Sequence, residues 1–200
     1  TATNSSAGGN DYAYGDATSG GGTTLGIIHN IGMQVSDFTS AHTATASQLF
    51  TMLGGANDLI NQIEASGTTT AAQAADNIAA DIQSLYNDGA RNVLVGNLPD
   101  LGLLPRYRGT SNQSEASTLT SEFDTELSTD LDALASSNAG LTLYRMDLYG
   151  LINSAISNPS AYGLNNVTDP AYTGDSSYLG TGTAVSDPSG YLFWDNLHPT

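Results

Sequence analysis

Asp195 and His198 stand three residues apart in Phe193-Trp194-Asp195-Asn196-Leu197-His198-Pro199-Thr200. On one helical turn or in a tight loop, side chains at i and i+3 face the same way, so this carboxylate and imidazole can work as a pair. An Asp beside a His fixes the tautomer of the ring and stabilises the imidazolium that forms when the ring takes a proton from a nucleophile. These two residues supply two thirds of a hydrolytic triad and leave the nucleophile to be found elsewhere.

Composition limits the alternatives. Two hundred residues, 39% of them hydrophobic, suit one domain with its own core. The chain has no cysteine, which excludes disulfides and thiolate metal sites, and its three histidines are scattered, so neither a metal nor another cofactor is expected. Twenty acidic residues oppose four arginines (Arg91, Arg106, Arg108, Arg145), giving a formal net charge of −16. Such a field repels phosphate backbones and anionic headgroups, so nucleic acid is excluded as a partner. No apolar run reaches the length of a membrane span, so stable membrane insertion is not expected. The absence of lysine and cysteine, with abundant Thr, Ser, Asn and Gly, is the composition of an exported, secreted or cell-surface bacterial protein.

Helix and strand signals alternate along the chain, which predicts an α/β sandwich with a mainly parallel sheet. Residues 1–24 read as loop and Gln34 to about Ala46 as a short helix. Leu49 to Leu53 is a brief apolar strand stopped by Gly54-Gly55. Ala75, Ile78, Ala79, Ile82, Leu85 and Tyr86 repeat at helical spacing from Ala71 to Tyr86, and Asn87-Asp88-Gly89 ends that helix. Asn92 to Gly96 reads as a buried parallel strand. Leu119, Phe123, Leu127, Leu131 and Leu134 mark an amphipathic helix over Glu115–Ser136. Leu141 to Met146 is a third strand, Leu148 to Ile156 a further helix, and residues 158–190 a long irregular connection.

Two more segments fall where chemistry needs them. Gly55-Ala56-Asn57-Asp58 follows the Leu49–Leu53 strand at its C-terminal end, the edge where open parallel sheets carry their sites. The Asn57 side-chain amide can donate to a developing oxyanion there, which an ionised Asp cannot do. In Asn10-Asp11-Tyr12-Ala13-Tyr14-Gly15-Asp16-Ala17-Thr18, Gly15 permits positive φ and close approach of the backbone to a ligand, so its N–H is a second candidate donor.

In this order, a Gly-bearing block, Gly55-Ala56-Asn57-Asp58 and a terminal Asp195-Asn196-Leu197-His198-Pro199 resemble the SGNH hydrolases, also called GDSL esterases/lipases. Val93 to Gly102 is similar to the middle block of that family, and the secreted or autotransporter-borne lipolytic branch is the nearest in pattern. The resemblance implies a flavodoxin-like three-layer sandwich and hydrolysis of a small-molecule or lipid ester by a Ser-His-Asp triad. His198 would be the base, Asp195 its orienter, and Gly15 N–H with Asn57 the oxyanion donors. The family's first block, a strand ending in Gly-Asp-Ser, is absent from residues 1–14. Ser5 and Ser6 lack an apolar strand before them, and Gly174-Asp175-Ser176 spells the tripeptide late in the order, leaving Ser176 as the remaining nucleophile candidate. The expectation is therefore one domain over 1–200, truncated at both ends: it lacks the first strand, with the serine upstream of Thr1, and the closing C-terminal helix. On this reading the 200-residue chain by itself is inactive, because the nucleophile is missing from it.

Other residues have plainer readings. Asp58 is expected as a helix N-cap, His29 and His42 as structural or exposed, and the acids from Glu115 to Asp132 as a solvated helix face. Tyr191-Leu192-Phe193-Trp194 is a candidate apolar wall for an acyl chain. Two alternatives remain at this level. One is a non-catalytic relative that keeps the scaffold for binding. The other is a calcium-binding Gly/Asp-rich module suggested by Gly8-Gly9-Asn10-Asp11 and Gly54-Gly55-Ala56-Asn57-Asp58, although such rolls need consecutive repeats about nine residues apart.

Overall fold

A computed structural model describes residues 10–174 and 182–200. The chain divides into two compact units, one of residues 1–98 and 122–146, the other of residues 99–121 and 147–200.

The first unit is built on a parallel sheet of three strands, β3 (Leu49–Met52), β4 (Asn92–Gly96) and β5 (Thr142–Met146), in the order β3-β4-β5. Leu49 sits opposite Asn92, and Asn92 opposite Thr142. Parallel neighbours need crossover connections, and helices supply them. Helices α2 (Ala56–Ile63) and α3 (Ala71–Asp88) lie between β3 and β4 in the chain, and α4 (Gln113–Ser137) lies between β4 and β5. Strand β4 is central, and its Val93 and Val95 are fully buried. Helix α3 buries Ala71, Ala74, Ala75, Ile78, Ile82 and Leu85, the stripe its periodicity predicts. Thr70 caps its start by accepting from the Gln73 N–H, and Gly89 ends it at φ 124°. The hydrophobic positions Phe123, Leu127, Leu131 and Leu134 of α4 are buried as expected.

Two short strands, β1 (Thr23–Thr24) and β2 (Ile28–His29), pair antiparallel inside the segment read as loop, and α1 spans Ile31–Ala41. The sequence places α1 too late: Asn30 already precedes a helical turn, and the chain is extended again by His42. Helix α2, which the reading of Asp58 as an N-cap would begin at residue 59, starts three residues earlier at Ala56, with Gly55 as its N-cap at φ 101°. A Cβ on Gly55 would overlap the Phe123 ring, so this sharp strand-to-helix turn demands glycine for both conformation and space.

The second unit holds α5 (Leu148–Ser157), which Asp147 caps by accepting from the Gly150 N–H at 2.8 Å. It also holds the parallel pair β6 (Asn166–Pro170) and β7 (Tyr191–Phe193). The supposed irregular connection of 158–190 therefore contains a strand. β6 is polar and bulged, so it carries no alternating apolar pattern. Of the Tyr191–Trp194 stretch read as a candidate apolar wall for an acyl chain, Leu192 and Phe193 are buried in this unit; Trp194 stacks on Tyr172 with centroids 5.9 Å apart.

Candidate active site

The turn after β7 builds the dyad. Trp194 N–H donates to the His198 carbonyl at 2.8 Å and Thr200 N–H to the Leu192 carbonyl at 3.0 Å, so the chain doubles back on itself directly after the strand. Asp195 lies inside this turn, fully buried. Its Oδ1 accepts from the Leu197 N–H at 2.8 Å and the His198 N–H at 2.7 Å, an Asx-type turn that folds His198 back over the carboxylate. His198 Nδ1 then lies 2.9 Å from Asp195 Oδ2. The opposite ring nitrogen, Nε2, belongs to a side chain that is 59% exposed. A carboxylate on Nδ1 selects the tautomer with its proton there and leaves Nε2 with the lone pair a base requires. The pairing expected of Asp195 and His198 is thus present in full geometry.

The other two predicted residues lie in the first unit. Asn57 is the second residue of α2, half-buried, and its Nδ2 donates to the Ala17 carbonyl at 2.9 Å. An amide nitrogen has two hydrogens, so one donor remains for a ligand. Gly15 is exposed, and a Cβ there would meet nothing within 4 Å. The positive φ expected at Gly15 falls instead on Asp16, at 61°. Ser5, Ser6 and Ser176 lie outside the described residues.

Sequence reasoning missed the network that holds the segment after Gly15. Ser19 is fully buried; its N–H donates to Asp58 Oδ2 at 2.8 Å and its hydroxyl to Asp58 Oδ1 at 3.1 Å. Asn77 of α3 donates to the same hydroxyl at 3.0 Å, and Asn30 Oδ1 accepts from the Thr18 N–H at 3.0 Å. Asp58 is therefore not an N-cap. It is the third residue of α2, 2% exposed, and ties that helix to the 17–19 segment. Burial raises its carboxyl above the ordinary range, with the hydrogen bonds from Ser19 opposing that rise. The adjacent Asn57-Asp58 pair was the available signal, because an Asp behind a close-packed glycine turn must find partners when buried.

His29 takes a structural role through a partner eight residues on. Its Nδ1 lies 2.5 Å from Asp37 Oδ2, and its ring stacks on Tyr14 with centroids 5.1 Å apart. His42 packs its ring against Phe38 and Tyr12, a structural role. The acids of α4 are not uniformly solvated either. Asp124 accepts from the Leu98 N–H at 2.9 Å, and carboxylate oxygens of Asp76, Glu126 and Asp130 lie within 4.8 Å of one another. Burial, with the neighbouring Asp76 and Glu126, raises the Asp130 carboxyl. Three oxygen donors of this kind suit a hard cation, which normally takes six to eight (Ca²⁺) or near-octahedral (Mg²⁺) ligation.

Comparisons with known proteins agree on one kinship. The esterase EstA of Pseudomonas aeruginosa is 30% identical over 164 residues, covering 78% of this chain and 24% of that protein. An uncharacterised protein from the trpE-trpG intergenic region of Pseudomonas putida is likewise 30% identical over 164 residues, 78% of this chain and 27% of its own length. A GDSL esterase/lipase of Arabidopsis thaliana is 28% identical over 137 residues, 62% of this chain and 38% of its own. The chain thus spans between about a quarter and two fifths of the length of these relatives. The model of the GDSL-like lipase/acylhydrolase family matches residues 2–200, nearly the whole sequence that carries the Asn57 block and the Asp195–His198 turn, and the chain belongs to that family.

Proposed function

We propose that this chain forms the body of a serine esterase or lipase, exported to the cell surface or beyond, that hydrolyses a small-molecule or lipid ester by two-step acyl transfer. The observation that carries this reading is the Asp195–His198 turn, in which a fully buried carboxylate holds Nδ1 of a half-exposed imidazole at 2.9 Å. The nucleophile in this reading is the serine of the family's first block, on a strand upstream of Thr1, as the resemblance implies; Ser19, the serine tied to the Asn57-Asp58 turn, is buried and hydrogen-bonded to Asp58.

His198 Nε2 takes the serine proton as the oxygen attacks the ester carbonyl, and Asp195 stabilises the resulting imidazolium. The remaining Asn57 N–H and the Gly15 N–H donate to the tetrahedral oxyanion. Collapse expels the alcohol, which receives the proton from His198, and water repeats the sequence on the acyl-enzyme to release the acid. The net charge of −16 disfavours anionic surfaces and suits neutral or zwitterionic esters.

The test is hydrolysis of p-nitrophenyl esters by the full-length protein. His198→Ala should lower turnover by about a thousandfold or more, and Asn57→Ala by about 10²–10³, the usual cost of one oxyanion donor. Full turnover in the His198 variant would overturn the proposal; full turnover in the Asn57 variant would remove Asn57 from the site.

A further inference from the structure

The β1–β2 hairpin holds an apolar tip in solvent. Leu25 is 85% exposed and Ile27 74%. Ile27 N–H donates to the Thr24 carbonyl at 3.3 Å, closing a turn whose central residues Leu25 and Gly26 both have positive φ, 53° and 75°. That pattern favours Asn-Gly, because a bulky side chain at positive φ is strained. Leucine therefore stands at the tip against the preference of the backbone, and at such exposure packing among the described residues does not offset the strain. The base of the hairpin, by contrast, is firmly held. Asn30 Oδ1 accepts from the Thr18 N–H at 3.0 Å and from the Thr24 hydroxyl at 2.7 Å, and the Asn30 N–H donates to the Gly22 carbonyl at 3.0 Å. Residues 17–36 contain no Asp, Glu, Lys or Arg, in a chain whose formal net charge is −16.

We propose that this tip is a contact for a lipid surface of neutral or zwitterionic headgroups, and that the ester reaches the site from that surface. The second clause rests on the serine-esterase reading; the first rests on the hairpin alone. Area and charge choose the occupant. A stable protein partner needs about 800 Å² from each side, more than two side chains on a turn can offer. Lipid association has no such threshold and grows with whatever apolar area is immersed, so a small tip gives a weak, reversible contact. The acidic field of the whole chain opposes anionic headgroups, and the uncharged 17–36 segment can approach a low-dielectric surface without desolvating a charge. Position ties the contact to the site. Tyr14, which directly precedes Gly15, stacks on His29 with centroids 5.1 Å apart, and His29 pairs with Thr23 in the hairpin. The tip begins two residues beyond Thr23, about 7 Å of strand. Ala17, on the same segment as Gly15, receives the Asn57 amide at its carbonyl. A tip seated on lipid thus keeps the segment that carries one candidate oxyanion donor, and is bonded to the other, close to the surface. Tyr14 suits that level, with an apolar ring and a polar end.

The experiment measures binding of the full-length protein, carrying His198→Ala so that no lipid is consumed, to phosphatidylcholine vesicles. Leu25→Asn combined with Ile27→Ser should weaken binding by about tenfold or more, the scale expected for two apolar side chains kept in water. Asn adopts positive φ readily, so Leu25→Asn alone should leave the urea midpoint unchanged or raise it. A lower midpoint would make Leu25 a structural residue and overturn the proposal. An environment-sensitive dye attached through Ile27→Cys should shift to the blue on vesicle addition, and the same dye through Thr129→Cys, on the exposed face of α4, should not. Equal binding of parent and variant, or a dye at 27 that stays unshifted, overturns the contact. A shift at 27 that follows protein concentration without lipid assigns the tip to a second copy and overturns it too. Adding phosphatidylglycerol at low salt should weaken binding, and stronger binding would refute the neutral-surface assignment. With His198 intact, vesicle binding without ester hydrolysis supports the contact and counts against the serine-esterase reading; hydrolysis of p-nitrophenyl acetate without vesicle binding does the reverse.

Discussion

Asp195→Asn separates the two tasks of the buried carboxylate. Oδ1 accepts from the Leu197 and His198 backbone amides, and Oδ2 faces His198 Nδ1. The Asn oxygen can keep both backbone bonds, which become bonds to a neutral acceptor; at about 1 kcal/mol lost per bond, the cost is about 2 kcal/mol. The turn should therefore survive. The Asn NH₂ then faces Nδ1 and can only donate, so Nδ1 must accept and the ring proton moves to Nε2. A base protonated on its working nitrogen is disabled, and in a Ser-His-Asp protease the same substitution costs about 10⁴ in turnover, or about 5.5 kcal/mol of barrier. Nitrogen-15 NMR at a pH where the ring is neutral reads the tautomer directly: Nδ1–H in the parent chain and Nε2–H in the variant. Urea unfolding reads the stability, and p-nitrophenyl ester turnover of the full-length protein reads the barrier. An unchanged tautomer, or turnover within tenfold of the parent, would refute the assignment of Asp195 as the orienter of His198.

Gly55→Ala places a Cβ at φ 101° and against the Phe123 ring, so it should destabilise the fold by about 2 kcal/mol or more in urea unfolding; no change would mean that the β3–α2 turn relaxes freely. Burial pushes the Asp81 carboxyl up to about 7. Below about pH 4 the folded and unfolded chains both hold this proton. Between about pH 4 and 7 only the folded chain does, so stability should fall as pH rises through that window. The loss is at most about 4 kcal/mol, and less to the extent that water reaches the group. Asp81→Asn should flatten the fall in urea midpoint between pH 4 and 7, and an identical slope in the variant would refute the shift.

Much of the fold was legible in sequence because it rests on local periodicity. Ala75, Ile78 and Ile82 in α3, and Phe123, Leu127 and Leu131 in α4, are buried because helical spacing puts them on one face, whatever that face meets. The apolar run of β4 marks a strand covered on both sides for the same reason. The polar β6 escaped because its partner β7 lies about twenty residues on, and its bulged pairing leaves no pattern in its own side chains.

The candidate site divides along the same line. Asp195 and His198 were readable because one turn closes their hydrogen bonds at separations of two and three residues. The His29–Asp37 pair spans eight residues, and the Ser19–Asp58–Asn77 network joins a loop to two helices across 39 and 58 residues. Such partners meet only when the core places their elements, because a buried carboxylate takes whichever donors packing brings within reach. Local spacing thus determined the dyad and the helices, while tertiary packing alone decided which serine is locked to Asp58 and where Asn57 spends its first donor.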